Sequence, residues 1–216
     1  MTRGKLIVFE GLDRAGKSTQ CVKLVEALQR QGQKVTHVRF PDRTTTIGKL
    51  IDQYLRGETD QDDHAMHLLF SANRWEAASK IEQAIASGTN VVVDRYIYSG
   101  CVYSAAKQNP RLDLRWARQP DEGLPRPDVC VFLELSPSEA AKRGGWGEER
   151  YEKKEMQDRV RELFHEIKAS PDGEDFVTIN AGGSIEDVEK LIWKAVQAVF
   201  ERVDDENSPL RVVIPW

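Results

Sequence analysis

Gly11-Leu12-Asp13-Arg14-Ala15-Gly16-Lys17-Ser18 sets two glycines, a lysine and a hydroxyl at the spacing G-x-x-x-x-G-K-[ST]. These residue types suit a polyphosphate. Glycines let the backbone aim successive N–H groups at an anion, and the helix opening at Lys17-Ser18-Thr19-Gln20 adds a favourable dipole. Lys17 then reaches the β- and γ-phosphates of a nucleoside triphosphate, and the Ser18 hydroxyl ligates Mg2+. The apolar run 6–9 precedes the loop, as the motif requires. Val91-Val92-Val93-Asp94 is another apolar run ending in a carboxylate. Alone, Asp94 reads equally as a turn cap; beside this loop it reads as a metal ligand, directly or through water.

The acceptor must be read from residues outside the loop. A guanine-reading Asn-Lys-x-Asp is absent, and the one Asp-x-x-Gly, Asp13 to Gly16, lies inside the loop, so a GTPase switch does not fit. Motor-type ATPases are ordinarily larger than 216 residues. A small kinase remains. Arg43, in Phe40-Pro41-Asp42-Arg43, and Arg95, in Asp94-Arg95-Tyr96, follow apolar runs. In a parallel sheet both would face the carboxyl-edge crevice, where two guanidinium groups could grip a second phosphate. Either arginine alone is as well explained by surface solvation. Phe70 and Arg74 are four apart on a helical stretch and share a face, suiting a base stacked on the ring with its carbonyl accepting from the guanidinium; alone, the pair more often means one core and one surface residue.

The elements that must hold these residues alternate. Apolar runs at 5–9, 35–39, 90–93, 129–135 and 176–179 predict strands; amphipathic stretches at 17–31, 47–56, 64–87, 136–142, 155–169 and 184–203 predict helices. Gly32 and Gly88 stand where C-cap glycines belong. The pattern predicts an α/β fold: a three-layer, doubly wound, five-stranded parallel sheet with helices on both faces. With 216 residues, 40% of them hydrophobic, one domain spanning 1–216 is expected. The 31 basic against 35 acidic residues argue against a dedicated nucleic-acid binder. No run reaches membrane-span length, no signal-peptide layout opens the chain, and Cys21, Cys101 and Cys130 are odd in number without CxxC spacing. An intracellular, non-secreted protein with buried reduced thiols is expected. The 204–216 tail either docks on the body or frays.

Phe9-Glu10-Gly11 through the Asp13-Arg14 loop, Phe40-Pro41-Asp42-Arg43, Phe70 to Glu76, Asp94-Arg95-Tyr96 and Gly123-Leu124-Pro125-Arg126-Pro127-Asp128 together resemble the thymidylate kinase family of eukaryotic type, in order from about Lys5 to Asp187. That resemblance implies a P-loop kinase fold with a short lid, ATP donating its γ-phosphoryl to dTMP with Mg2+, a homodimer, and an intracellular location, cytoplasmic or nuclear. It implies that Ala15, Gly16, Lys17, Ser18 and Thr19 bind ATP and that Asp13 faces the deoxyribose 3′-hydroxyl. Arg43 and Arg95 would hold the acceptor phosphate, with Phe70 and Arg74 on the thymine. Tyr103 would sit under the sugar and exclude a 2′-hydroxyl by crowding, Gly100 would also bind dTMP, and Phe40 and Leu55 would complete the wall. The lid at 143–151 would bring Arg143 to the adenine and Tyr151 to the acceptor. Because 144–149 lacks a basic residue, Arg14 would be the cation that neutralises the transferring phosphoryl, beside Lys17 and Arg95.

Two rivals follow from the same residues. A deoxynucleoside kinase would have no use for Arg43 and Arg95, and a regulatory nucleotide-binding module would hydrolyse ATP slowly or not at all. His64 and His67 are expected to be solvated beside Asp60 to Asp63, and Trp75, Trp116 and Trp193 to be packing residues.

Overall fold

The computed structural model describes residues 2–136, 139–140, 150–151 and 153–216. Five strands form one parallel sheet: β1 (Leu6–Gly11), β2 (Val35–Arg39), β3 (Asn90–Asp94), β4 (Val129–Glu134) and β5 (Phe176–Asn180), in the order β2-β3-β1-β4-β5. Among the described residues seven α-helices accompany it: α1 (Lys17–Arg30), α2 (Thr46–Leu55), α3 (Asp63–Ala86), α4 (Ile97–Ala105), α5 (Leu114–Arg118), α6 (Lys154–Ala169) and α7 (Ile185–Asp205). The expected three-layer α/β architecture is the one observed.

Strand alternation divides the core in two. Leu6 and Val8, Val91 and Val93, and Cys130 and Phe132 face α3, α4 and α6. Ile7 and Phe9, Val92, and Val129, Val131 and Leu133 face α1 and α7. A third cluster, Ile51, Tyr54, Leu55 and Met66, ties α2 to α3. Side chains buried this fully contribute about 1.5–3 kcal/mol each relative to exposure. Gly32 and Gly88 adopt left-handed φ of 74° and 81°, ending α1 and α3 as expected. All three cysteines are buried free thiols.

The sheet order sets the site. β1 is central, flanked by β3 and β4, so crossovers diverge from it to the two sides and leave a crevice at its carboxyl end. The register pairs Phe9 with Asp94 and Arg39 with Asp94, so the residues following β1, β2 and β3 emerge at one edge.

Several expectations need correction. The amphipathic stretches omit α4 and α5. Helix α4 buries Ile97, Tyr98, Ser99, Cys101, Val102 and Ser104, so it has no polar face to generate a period. His67 is not solvated: it is fully buried, its Nδ1 2.7 Å from Ser104 Oγ and its ring 5.5 Å from that of Trp116. His64 is half-buried and meets the same indole edge-on at 4.7 Å. Trp75 is exposed rather than packed inside, whereas Trp116 and Trp193 are packed against the two cores. The tail docks. Val213 is buried, its N–H donates to Leu124 O and its carbonyl accepts from Gly123 N–H, each at 2.8 Å. Most of the expected 136–142 helix, and the lid from Arg143 to residue 149, lie outside the described residues.

Candidate active site

The loop leaving β1 turns tightly before α1. Gly11 (φ 138°) leaves no room for a Cβ, which would come 2.5 Å from Leu133 O. Arg14 and Gly16 are left-handed at φ 67° and 92°, so successive backbone units turn and their N–H groups can converge. Lys17 is buried, and its Nζ donates to Gly11 O at 3.0 Å and Leu12 O at 2.6 Å. Burial, and then the nearby Arg95 charge, depress the Lys17 ammonium to about 8. Ala15 is buried under the loop, and Ser18 and Thr19 are exposed on the first turn of α1. The Ser18 hydroxyl donates to Asp94 Oδ2 at 2.5 Å, and Asp94 is itself buried at the end of β3. A hydroxyl next to a carboxylate is a hard-oxygen donor set that fits Mg2+, which takes few protein ligands and keeps water and phosphate for the rest.

A cleft opens beside this loop. Every residue expected at the acceptor lines it: Asp13, Phe40, Arg43, Leu55, Phe70, Arg74, Arg95, Gly100, Tyr103 and Tyr151. Arg39, Tyr96 and Ser99 share the wall. The Phe40–Pro41 peptide is cis, and the Phe40 ring meets that of Tyr96 at 5.7 Å. Tyr103 and Tyr151 pack together at 5.7 Å, which joins α4 to the end of the 143–151 segment.

Three of the four arginines that line the cleft, Arg43, Arg74 and Arg95, are each held at short range by a carboxylate, which their sequence positions do not show. Arg95, left-handed at φ 64°, pairs with Asp13, donates to Ser99 Oγ at 3.1 Å and lies 5.3 Å from the Tyr103 ring. Burial works against its charge, but Tyr103, Asp13, Glu10 and Asp94 outweigh that and raise its pKa. Asp13 also accepts from Gln157 Nε2 at 2.7 Å and Tyr103 Oη at 3.1 Å. Burial alone would raise the Asp13 carboxyl; Arg95 and Lys17, with the two hydrogen bonds, bring it below the usual range. Arg43 donates to Asp52 Oδ1 at 2.7 Å, and Asp52 is shared with Arg56. Arg74 is almost wholly buried and forks onto Asp121.

Sequence reasoning missed the residues that hold the others. Glu10 is fully buried and accepts from Tyr96 N–H and Ser99 N–H, each at 2.9 Å, so it caps α4 from the neighbouring strand. A carboxylate inside an otherwise apolar strand was its available signal, since such a group must find partners. Asn73 accepts from Asp42 N–H at 2.7 Å and donates to Thr45 Oγ1 at 3.1 Å, fixing the loop that carries Arg43. Gln157, Asp52 and Asp121 gave no local signal. Arg143 lies outside the described residues.

Comparison with known proteins agrees with this geometry. A family model described as thymidylate kinase matches residues 9–192. A thymidylate kinase of Schizosaccharomyces pombe is 49% identical over 91% of this chain and 93% of its own. One from Homo sapiens is 52% identical over 76% of this chain and 77% of its own. The solved structure of thymidylate kinase from Candida albicans superposes with a TM-score of 0.86 at 36% identity, covering 99% of each chain. On its P-loop sequence and these relatives, the chain belongs to the thymidylate kinase family.

Proposed function

We propose that this chain, as one catalytic domain over residues 1–216, transfers the γ-phosphoryl group of ATP to dTMP, giving dTDP and ADP. The observation that carries the reading is Asp13, a residue of the phosphate loop that also lines the acceptor cleft and bonds Arg95. Donor and acceptor sites therefore share one wall. An oxygen of the dTMP phosphate attacks Pγ, and the bond between Pγ and the β,γ-bridging oxygen breaks. That nucleophile is ionised at neutral pH, so the chain needs no strong general base. Its residues position two anions and balance their charge.

Lys17 exchanges its two carbonyl partners for the β- and γ-phosphates, and Arg14 lies on the loop beside the transferring group. Arg95 and Arg43 turn from Asp13 and Asp52 towards the acceptor phosphate. Phe70 stacks on thymine, Arg74 donates to its carbonyl, and Tyr103 with Gly100 crowds a 2′-hydroxyl. Ser18 and Asp94 would hold Mg2+, which supplies charge neutralisation at the phosphates. Arg143 is assigned to the adenine, and closure of the lid excludes water. Homodimerisation is part of the reading, with exposed Leu50 on α2 and Leu68 on α3 supplying apolar surface. So is an intracellular location, cytoplasmic or nuclear, supported by three unpaired thiols.

A coupled assay of ADP release across the common nucleoside monophosphates tests this. The expected result is rapid release with dTMP and little without an acceptor. Thymidine outperforming dTMP would point to a deoxynucleoside kinase, and acceptor-independent slow hydrolysis to a regulatory module.

A further inference from the structure

The fork between Arg74 and Asp121 lies at the base end of the cleft and is buried on both sides. Arg74 keeps 2% of its surface exposed and Asp121 none. Nε of Arg74 donates to Asp121 Oδ1 at 3.1 Å, and Nη2 donates to Oδ1 at 3.0 Å and Oδ2 at 2.7 Å. Nη1, the remaining terminal nitrogen, has no partner among the described residues. One face of the guanidinium lies on Gly100, where a Cβ would come within 2.6 to 2.9 Å of Nη1, Nη2 and Cζ. The carboxylate fixes one edge of the plane and α4 fixes its face, so the remaining edge has a defined direction.

Asp121 is fixed in turn. Ser71, one turn before Arg74 on α3, donates to Asp121 Oδ1 at 2.7 Å. Trp75 Nε1 donates to the preceding Pro120 O at 2.8 Å. On the other side the segment is anchored by Arg118, buried and forked onto Asp172 at 2.8 and 2.9 Å. A buried guanidinium whose charge is balanced in this way acts on a base as an aimed N–H donor more than as a free cation. Such a donor accepts a carbonyl and opposes an amino group, because a donor facing a donor leaves both unsatisfied.

We propose that Asp121, with Ser71 behind it, is the positioning residue for base selection: it holds Arg74 so that Nη1 faces the 4-position of the pyrimidine and selects a 4-carbonyl over a 4-amino group. This rests on the assignment of Arg74 to the base given above, and the experiment separates the two. Steady-state kinetics with dTMP and dCMP, and thermal melting, are measured for the full chain and for Arg74→Lys, Asp121→Asn and Ser71→Ala. Arg74→Lys tests the underlying assignment, because an ammonium lacks the planar fork. If its KM for dTMP stays at the wild-type value, Arg74 does not read the base and the proposal falls with that assignment.

Given a raised KM in that variant, Asp121→Asn is expected to raise the KM for dTMP at least about tenfold. Its kcat should stay within about threefold, and its preference for dTMP over dCMP should shrink at least about tenfold. Loss of kcat alone, or an unchanged preference in a folded protein, overturns the role of Asp121 while leaving that of Arg74. Should Asp121→Asn fail to fold, Ser71→Ala decides. A KM raised about threefold with unchanged kcat and a reduced preference supports the proposal, and wild-type values for all three overturn it.

Discussion

The Arg95 guanidinium and the Asp13 carboxylate form an ion pair where the loop after β1 meets the cleft. Strand register explains why they meet: Phe9 of β1 pairs with Asp94 of β3, so the chain just beyond each strand emerges at the same edge. Asp13 also collects Gln157 from α6 and Tyr103 from α4, so one carboxylate joins donors from two helices and from the turn after β3.

Removing that carboxylate leaves these donors short of a charged acceptor, and hydrogen bonds to charged groups are worth about 1.5–3 kcal/mol. Asp13→Ala is therefore expected to lower kcat/KM for dTMP about a hundredfold in steady-state assays. A value within about threefold of wild type would show that the pair is incidental to catalysis.

Arg14 predicts a different kinetic signature. It stands on the loop at a left-handed φ of 67° and is not among the residues lining the acceptor cleft. A group that meets charge only as it develops in the transition state affects kcat, typically by about a hundredfold or more. Arg14→Ala should show that drop with the KM for dTMP within about threefold. The opposite split, an intact kcat with a much weaker dTMP affinity, would reassign Arg14 to acceptor binding.

The thymine methyl supplies a smaller term. One buried methyl group is worth about 0.8 kcal/mol, or about fourfold. With Phe70 and Phe40 lining the cleft, dUMP should be a substrate with kcat/KM about fourfold below that of dTMP. Equal efficiency would mean that the 5-position projects into solvent.

Most of the fold was legible because its signal is periodic. β1, β3 and β4 read as apolar runs because both faces are covered, and α1, α3, α6 and α7 read as helices because only one side is. Helix α4 escaped the pattern because it is buried nearly all round. At the site, residues within a motif were legible and their partners were not. Asp13 and Gln157 are 144 positions apart, and Arg74 and Asp121 are 47 apart; no spacing rule links such pairs, so only the folded chain brings them together. The same holds for His67, whose acidic neighbours in sequence suggested solvent although its spatial neighbours are Ser104 and Trp116.

That burial gives His67 a pH signature. Burial, and then the Arg74 charge, lower its pKa from 6.5 to about 4, with Lys107 acting in the same direction and Asp121 opposing. The unfolded chain thus binds the proton more readily than the folded one between about pH 6.5 and 4. Stability is fully present above that window and falls as pH drops through it, by about 3 kcal/mol at most. His67→Gln should flatten the dependence of unfolding free energy on pH across this range in urea titrations. An unaltered slope would mean that other groups dominate acid destabilisation.

The docked tail makes the last prediction. Residues 209–216 run against Gly123 to Pro127: Val213 is buried in the same core as Leu124, and the two segments exchange hydrogen bonds of 2.8 Å. Arg211 reaches Asp175 at 2.7 Å, and Trp216 lies 5.6 Å from the Arg118 guanidinium. Deleting residues 209–216 forfeits the Val213 burial, about 1.5–3 kcal/mol, and exposes the apolar wall beneath it. The charged cluster survives better, because Asp175 keeps Arg126 and Tyr98 as donors. A net loss of about 3 kcal/mol in a chain of this size lowers Tm by about 6–12 °C. Thermal melts of the full and shortened chains measure this directly, and a Tm unchanged within about 2 °C would mean the tail contributes almost nothing to holding the body together.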